Sequence, residues 1–226
     1  MALSINHSGE GREILFGQES HLAVSRKRGF AEMIFWLLSE RQPNAAELKV
    51  FELIFNLSID HGPNTPSAKI TIESAKAGKT IGEAVAAGVR EINDTHGGAQ
   101  EALMPILYKI VKEKAKPEAI VADFVKKKIR LPGFGHRLYK NTDPRAELIL
   151  DTLGANNLGR DFITVARNLA EELRRQTGKV LPLNIDGAIA VTLCAFGWPP
   201  ALGKAVFIIA RTPGLCGQFI NHHNKA

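Results

Sequence analysis

Residues 131–145 read LPGFGHRLYKNTDPR and interrupt a chain whose apolar residues otherwise recur with the period of an α-helix. Glycines on the N-terminal side of His136 leave its imidazole on a backbone with little side-chain obstruction, so a ligand can come close. Further along, the run from Thr142 to Arg145 is typical of a helix cap, a proline at the first helical position and an arginine at a helix N-terminus. We therefore expect a substrate-facing proton donor at His136 and a carboxylate site at Arg145.

Three more segments rich in glycine, proline and polar residues interrupt the helical pattern. They read DHGPNTPS at 60–67, THGG at 95–98 and LPLNIDG at 181–187. Because loops carry function more often than helices do, we expect His61, His96 and Asp186 to be functional candidates. Each has an alternative taken singly, since a loop histidine is commonly a surface residue and Asp186 could cap a helix over Gly187 to Leu193.

The rest of the chain predicts an all-α protein. Thr80 and Glu83 form a capping box, and Asn44 with Glu47 marks a second helix start. Apolar residues with helical spacing follow both starts, and a third such run lies further along the chain. The run after Thr80 is Ile81, Ala84, Val85, Gly88, Val89 and Ile92, the run after Asn44 is Leu48, Phe51 and Phe55, and the third is Phe162, Val165, Ala166, Leu169 and Leu173. The best strand candidate, Glu13 to Phe16, is too short for more than a local hairpin.

Composition limits the classes of function. The 226 residues are 45% hydrophobic, enough for a sizeable core, and the net charge of +6 favours an anionic partner. Basic residues concentrate at 109–116 and 126–130, where they alternate with apolar ones, so we interpret them as solvated faces of amphipathic helices. Because the sequence shows no nucleic-acid motif, signal sequence or long apolar run, we expect a soluble cytoplasmic protein that binds neither nucleic acid nor membrane.

Cys194 and Cys216 lie in apolar stretches and are expected to be buried free thiols.

Four motifs in colinear order resemble the citrate synthase superfamily, which includes citryl-CoA lyase and the C-terminal citrate synthase homology module of ATP-citrate lyase. The resemblance covers roughly residues 30 to 220. Its motifs are His96-Gly97-Gly98-Ala99, Pro132 to His136 with Asp143-Pro144-Arg145-Ala146, Asn184-Ile185-Asp186-Gly187, and Ala210-Arg211-Thr212.

This resemblance implies a nearly all-α homodimer with a large helical domain and an inserted small one. Residues 1–102 and 184–226 would form the large domain and residues 103–183 the small domain. Compared with ordinary citrate synthases the chain is N-terminally shortened, and it ends before the arginine that reaches the partner subunit's citrate in synthases.

The resemblance also implies roles for the candidate residues. His96 would stabilise the enolate of acetyl-CoA, His136 would exchange a proton with the oxaloacetate carbonyl oxygen, and Asp186 would exchange the α-proton. A carboxylate base needs such donors because the α-proton of a thioester is weakly acidic. Family positions that hold substrate carboxylates correspond to His61, Arg145 and Arg211. Those next to coenzyme A correspond to Gly133, Phe134, Gly135, Lys140 and Lys179, and no metal is expected.

The direction of the reaction is less sharply indicated. The segment Asp60-His61-Gly62-Pro63 resembles the lyase branch, whereas His96 is typical of synthases. We expect a citryl-CoA lyase that forms acetyl-CoA and oxaloacetate, with citrate or 2-methylcitrate synthase as the alternative. Two other classes remain open. One is a non-catalytic subunit that binds coenzyme A, and the other is a metal-dependent hydrolase using His61, His96, His136 and Asp186, although no His-Glu-x-x-His pattern is present.

Overall fold

The computed structural model describes residues 5–7 and 14–223, with side chains from residue 14 onward. The described part contains eleven α-helices and three short β-strands, and 67% of the structure is helical, which confirms the predicted all-α class. The strands are β1 (Ile5–His7), β2 (Ile14–Phe16) and β3 (Glu19–Ser20). The helices are α1 (His21–Lys27), α2 (Phe30–Ser39), α3 (Ala45–Ser58), α4 (Pro66–Lys76), α5 (Ile81–Arg90), α6 (Ala99–Glu113), α7 (Pro117–Lys127), α8 (Pro144–Ala155), α9 (Arg160–Thr177), α10 (Ile185–Ala195) and α11 (Leu202–His222).

Contacts divide the chain into two compact units, one ending at Leu53 and the other beginning at Ile54. In the first, β1, β2 and β3 form an antiparallel sheet in that order. Phe16, Val24 and Trp36 make its core cluster, in which the rings of Phe16 and Trp36 meet edge to face at 5.0 Å. The predicted strand is thus present as β2, and Glu13 lies outside the described residues. The three-part division predicted at residues 103 and 184 stays a prediction.

Predicted helix starts are confirmed where a capping box was expected. At α5, Thr80 accepts a hydrogen bond from the Glu83 amide while the Glu83 carboxylate accepts one from the Thr80 amide. At α3, Asn44 and Glu47 make the same reciprocal pair, at 2.9 and 3.0 Å. The apolar stripe of α9 is also confirmed, because its members Val165, Ala166, Leu169 and Leu173 are buried. Local sequence signals therefore determine where these helices begin and which face they bury.

The basic segments lie on solvated helix faces, as predicted. In α6 the residues Leu103, Met104, Leu107 and Ile110 are buried while the lysines between and after them are exposed. In α7 only Val121 is fully buried, and the last turn carries exposed lysines.

Helix α10 is the central helix of the second unit. Every residue from Ile185 to Cys194 is buried, and the helix packs against α6, α8, α9 and α11. Its cap is Asn184, whose side-chain oxygen accepts a hydrogen bond from the Gly187 amide at 3.1 Å. The alternative in which Asp186 caps this helix is therefore wrong. The carboxyl of Asp186 lies in the first turn of α10 and does not cap this helix.

Backbone hydrogen bonds tie the loop around Gly133 to the start of α10. The Gly135 amide donates to the Pro182 carbonyl at 2.7 Å, and the Asn184 amide donates to the Gly133 carbonyl at 3.0 Å. Gly133 adopts a φ of +79°, and a Cβ added at Gly187 would lie 2.5 Å from the Gly133 carbonyl oxygen. Only glycine lets the two backbones approach so closely. The loop that carries His136 is therefore held against the helix that carries Asp186.

Two predictions from composition concern the thiols and the membrane. Both cysteines are free, Cys194 is buried and Cys216 is partly buried. Burial raises the pKa of the Cys194 thiol to about 12, so this thiol stays protonated and unreactive. In the described part of the chain, no helix has the length and apolar character needed to cross a membrane.

We predict that Gly187→Ala destabilises the protein by about 1 to 3 kcal/mol, because its Cβ would overlap the Gly133 carbonyl oxygen. The matched control is Gly82→Ala in the first turn of α5, where a Cβ meets nothing within 4 Å. That change should be neutral or stabilise by up to about 1 kcal/mol. Urea unfolding measures both. Equal free energies of unfolding for the two variants would contradict the close approach.

Candidate active site

The six side chains expected to bind substrate or act on it lie in the second unit, where they are linked by short distances or by electrostatic effects. They are His61, His96, His136, Arg145, Asp186 and Arg211. The rings of His61 and His136 are 5.4 Å apart, and Arg145 Nη2 lies 3.3 Å from His136 Nε2. His96, Asp186 and Arg211 are linked to the other three by electrostatic effects on pKa values. Arg211 alters the pKa values of His61, His96 and Asp186, and Arg145 alters those of His61, His136 and Asp186. Residues far apart in the sequence are thus brought into one site.

Asp186 is a buried carboxyl with only 8% of its surface exposed. Burial raises its pKa from 3.8 to about 6, and the backbone amides of Ala99 and Gly97, together with Arg211 and Arg145, limit the rise. These amides belong to the start of α6, whose N-terminal dipole favours a negative charge. A carboxyl with a pKa close to neutral pH suits a group that both takes and returns a proton.

His96 lies in a tight turn before α6. Its backbone exchanges hydrogen bonds with Asn93 at 2.9 and 3.0 Å, and the next residue, Gly97, adopts a φ of +74° against the ring of Phe207. Its Nε2 lies 2.9 Å from the hydroxyl oxygen of Ser67. Burial, and then the charge of Arg211, lower its pKa to about 4, so the ring is neutral at pH 7.

Ser67 is a functional candidate that the sequence interpretation passed over. It is fully buried in the first turn of α4, and His96 Nε2 is the partner of its hydroxyl. If the hydroxyl donates to Nε2, the neutral ring carries its proton on Nδ1, where it can be donated elsewhere. The available signal was its position in the DHGPNTPS break, six residues after His61.

The hydrogen bonds of His136 define its tautomer. Its Nδ1 accepts from the amides of Leu138 and Tyr139, both at 3.0 Å, so the proton of the neutral ring is on Nε2. Burial and the charge of Arg145 lower the pKa of this histidine. Nη2 of Arg145, 3.3 Å from Nε2, also carries only hydrogens to donate. Two donors cannot bond each other, and a shared oxygen acceptor would satisfy both.

Arg145 is held by a partner that the sequence suggested only as part of a helix cap. Asp143 is fully buried and accepts from Arg145 Nε at 3.0 Å and from Nη2 at 2.7 Å. It also caps α8, accepting from the Arg145 amide at 3.1 Å. One edge of the guanidinium is therefore occupied, so Nη1 remains for a carboxylate and the second hydrogen of Nη2 for the acceptor shared with His136.

Arg211 is the most deeply buried cation of the site, with 2% of its surface exposed. Its Nε donates to the Ser58 carbonyl at 2.7 Å, while Nη1 finds no acceptor among the described residues. Nε2 of His61 and Oδ1 of Asp60 are likewise buried without a partner in that part of the chain. A buried guanidinium hydrogen without an acceptor is costly. An anionic ligand would remove that cost at Arg211, and Nε2 of His61 could donate to the same ligand.

The residues expected near coenzyme A are a loop at the start of α10 and two exposed lysines. Gly133, Phe134 and Gly135 form the loop that is hydrogen-bonded to the start of α10. Lys140 and Lys179 are both exposed. The residues that follow them in the sequence, Asn141 and Val180, line an open cavity of about 480 Å³. Its lining also includes Thr142, Leu181, Pro182 and Leu183. Exposed lysines beside such a cavity suit phosphate groups.

The proposed metal ligands do not form a metal centre. Across residues 14–223, no three histidine, cysteine, aspartate or glutamate side chains are grouped so that they could hold a metal ion. His96, His136 and Asp186 are instead engaged with serine, backbone amides and arginines.

Comparison with known proteins places this arrangement in context. The model of the citrate synthase C-terminal domain family matches residues 3–226. The peroxisomal citrate synthase of Dictyostelium discoideum is 29% identical over 207 residues, which cover 86% of this chain and 42% of that protein. The chain therefore spans less than half the length of this curated relative.

Solved structures are similar over nearly the whole chain. Citryl-CoA lyase from Hydrogenobacter thermophilus has a TM-score of 0.90 and 34% identity, covering 98% of this chain and 86% of that one. ATP citrate lyase from Methanothrix soehngenii, in complex with citrate and coenzyme A, has a TM-score of 0.85 and 24% identity, covering 98% and 38%. Citrate synthase from Thermotoga maritima has a TM-score of 0.72 and 24% identity, covering 84% and 52%. At 24% identity, the likeness to the ATP citrate lyase and to the Thermotoga maritima citrate synthase shows a shared fold.

We predict that the raised pKa of Asp186 gives the free energy of unfolding a specific pH dependence. Between pH 3.8 and about 6 the folded state binds more protons at this residue than the unfolded state, so stability falls as pH rises. Relative to Asp186→Asn, the wild type should lose about 3 kcal/mol across this range and change little above it.

Urea unfolding of both proteins at several pH values measures this difference. His61 and His96 have lowered pKa values and therefore add stability with rising pH, but they do so in both proteins and cancel. A difference between wild type and variant that does not vary from pH 4 to 6 would show that Asp186 has an ordinary pKa.

Proposed function

Since this chain belongs to the citrate synthase family, we propose that it is a citryl-CoA lyase, which cleaves citryl-CoA to acetyl-CoA and oxaloacetate. The observation that carries the proposal is the buried carboxyl of Asp186, with a pKa of about 6 amid neutral histidines and two arginines. Likeness over the whole chain to a citryl-CoA lyase, and the Asp60-His61-Gly62-Pro63 segment, support the lyase direction.

Asp186 and His96 would handle the acetyl part of the substrate. When the carbon–carbon bond opens, the electron pair passes into an enolate, and negative charge develops on the thioester oxygen. A proton on His96 Nδ1, present when Ser67 donates to Nε2, would stabilise that oxygen. Asp186 in its protonated form would then return a proton to the α-carbon, and the pKa of about 6 leaves part of the population protonated near neutral pH.

His136 and Arg145 would share the oxygen that changes from tertiary hydroxyl to carbonyl. Nε2 of the neutral imidazole and Nη2 of the guanidinium are donors 3.3 Å apart, which suits one oxygen atom between them. In the synthesis direction the same two donors would stabilise the charge that develops on the oxaloacetate carbonyl oxygen. In the cleavage direction the hydroxyl proton needs an acceptor. Asp60 Oδ1, a buried oxygen without a partner within residues 14–223, could take it.

Arg211 and Arg145 would hold the carboxylates of the oxaloacetate part, with help from His61. Nη1 of Arg211 is buried without an acceptor in the described part of the chain, which supports a carboxylate at this position. Arg145 retains Nη1, which Asp143 does not contact. Two arginines in a mostly buried site match a substrate fragment with two negative charges.

Coenzyme A would lie along the loop of Gly133, Phe134 and Gly135. Lys140 and Lys179 are exposed, each is next in sequence to a residue that lines the open cavity, and both would contact the phosphates of coenzyme A. We further propose that residues 103–183 act as a small domain inserted between 1–102 and 184–226, and that the protein is a cytoplasmic homodimer.

Citrate or 2-methylcitrate synthase is the second candidate function. The curated relative is a citrate synthase, and the enolate-stabilising role that the resemblance implies for His96 is typical of synthases. The same groups, including the acceptor of the hydroxyl proton, would serve both directions by microscopic reversibility. What differs is the treatment of water, because a synthase must hydrolyse the citryl-CoA thioester and a lyase must exclude water from it.

We predict that the purified chain, supplied with citryl-CoA, releases oxaloacetate faster than citrate. Malate dehydrogenase and NADH trap the oxaloacetate, and free thiol is measured in parallel. If citrate and free coenzyme A dominate, and acetyl-CoA with oxaloacetate yields citrate efficiently, the synthase function replaces the lyase. If citryl-CoA is bound but not converted, the chain is a non-catalytic subunit.

We predict that Arg145→Lys is not conservative. An ammonium keeps the charge but cannot bind Asp143 and a substrate carboxylate through two edges, so about 2 to 3 kcal/mol of transition-state stabilisation should be lost. Steady-state kinetics with citryl-CoA measure this loss in kcat/KM. The control is Arg175→Lys, because Arg175 also forms a two-bond ion pair, with Glu172, but on the surface and outside the cavity. Similar kinetics for the two variants would place Arg145 outside the site.

A further inference from the structure

We propose that Tyr139 is a positioning residue, whose ring and amide hold His136 and Arg145 in the orientation in which both donate to one substrate oxygen. The proposal deepens the function proposed above and rests on it. Tyr139 carries no group that reacts in this scheme. It acts through three neighbours, because its ring contacts His136, Arg145 and His61.

Tyr139 restrains the imidazole of His136 in two independent ways. Its ring stacks on the imidazole with centroids 4.7 Å apart and planes inclined by 25°. Its backbone amide donates to His136 Nδ1 at 3.0 Å. The stacking limits tilting of the imidazole plane, and the hydrogen bond limits rotation within that plane. Both restraints come from one residue, three positions along the chain, so the direction of Nε2 is determined locally.

The same ring faces the guanidinium of Arg145. The Cζ atom lies 5.4 Å from the centroid of Tyr139, within the range of a cation–π contact. Asp143 binds one edge of the guanidinium, at 2.7 and 3.0 Å, and Tyr139 contacts it through its π system. A planar group restrained at one edge and by a ring presents its remaining hydrogens in one direction.

These restraints are needed because the two donors repel each other without substrate. His136 Nε2 and Arg145 Nη2 approach to 3.3 Å, and each carries a hydrogen. Flexible side chains would separate in that state and would have to reassemble around each new substrate. Holding them in place beforehand lowers the reorganisation required during the reaction. His61, tilted against Tyr139 at 6.2 Å, is part of the same aromatic group.

The test compares Tyr139→Leu, which removes the ring, with Tyr139→Phe, which keeps it. We expect the leucine variant to lose about 10-fold in kcat for citryl-CoA cleavage, from the combined stacking and cation–π contacts. KM should change by less than about threefold, because the contacts orient groups that act in the transition state. The phenylalanine variant should stay within about twofold of wild type.

A matched control removes a ring elsewhere in the same unit. Phe162→Leu loses an edge-to-face contact with Tyr108, at 5.7 Å, away from the candidate site. Its kcat should remain within about twofold of wild type even if its stability falls. Equal kcat values for Tyr139→Leu, Tyr139→Phe and Phe162→Leu would overturn the proposal.

A second measurement separates this proposal from the proposed function. The side-chain Nε–H signal of Arg145, assigned by NMR in the substrate-free protein, should exchange slowly with water in wild type and Tyr139→Phe, and faster in Tyr139→Leu. If wild type does not cleave citryl-CoA, the proposed function fails, and this exchange rate alone decides the role of Tyr139. An unchanged rate in Tyr139→Leu would refute the positioning role.

Discussion

The close approach of Gly133 to Gly187 is the constraint on which the rest of the site depends. Without side chains at these positions, the loop before His136 can lie on the first turn of α10, where Asn184 bonds to both Gly133 and Gly135. The helix itself is buried along its length, so its first turn is held by packing from several sides. A proton donor on a loop and a carboxyl on a core helix are thereby kept together.

The electrostatics of the site follow from burial. Removing Asp186 from water raises its pKa, and removing His61 and His96 from water lowers theirs. In each case the neutral form is favoured, because a low-dielectric interior penalises charge. The positive charges of Arg211 and Arg145 oppose part of the rise at Asp186. The result is a site with two fixed cations, neutral donors and one carboxyl that titrates near neutral pH.

Such a site costs stability. The unpartnered atoms of Arg211, His61 and Asp60, and the adjacent donors of His136 and Arg145, are unfavourable in the substrate-free protein. Proteins retain such features where function requires them and compensate elsewhere. Here the compensation comes from the buried faces of α6, α9 and α10, whose apolar residues pack in the same unit.

The sequence by itself determined the all-α class, the capped starts of α3, α5 and α8, the solvated basic faces and the membership of the citrate synthase family. These depend on patterns within a few residues or on motifs in order. Only the tertiary structure decided that Asn184 and not Asp186 caps α10, that Ser67 contacts His96, and that Asp186 is buried where Arg145 and Arg211 act on it. The pKa values and the unpartnered atoms likewise depend on which groups meet after folding and on how much water is excluded. Residues distant in the chain determine which groups surround a buried atom and how far water is excluded from it. A local sequence pattern therefore cannot specify its pKa or its partners.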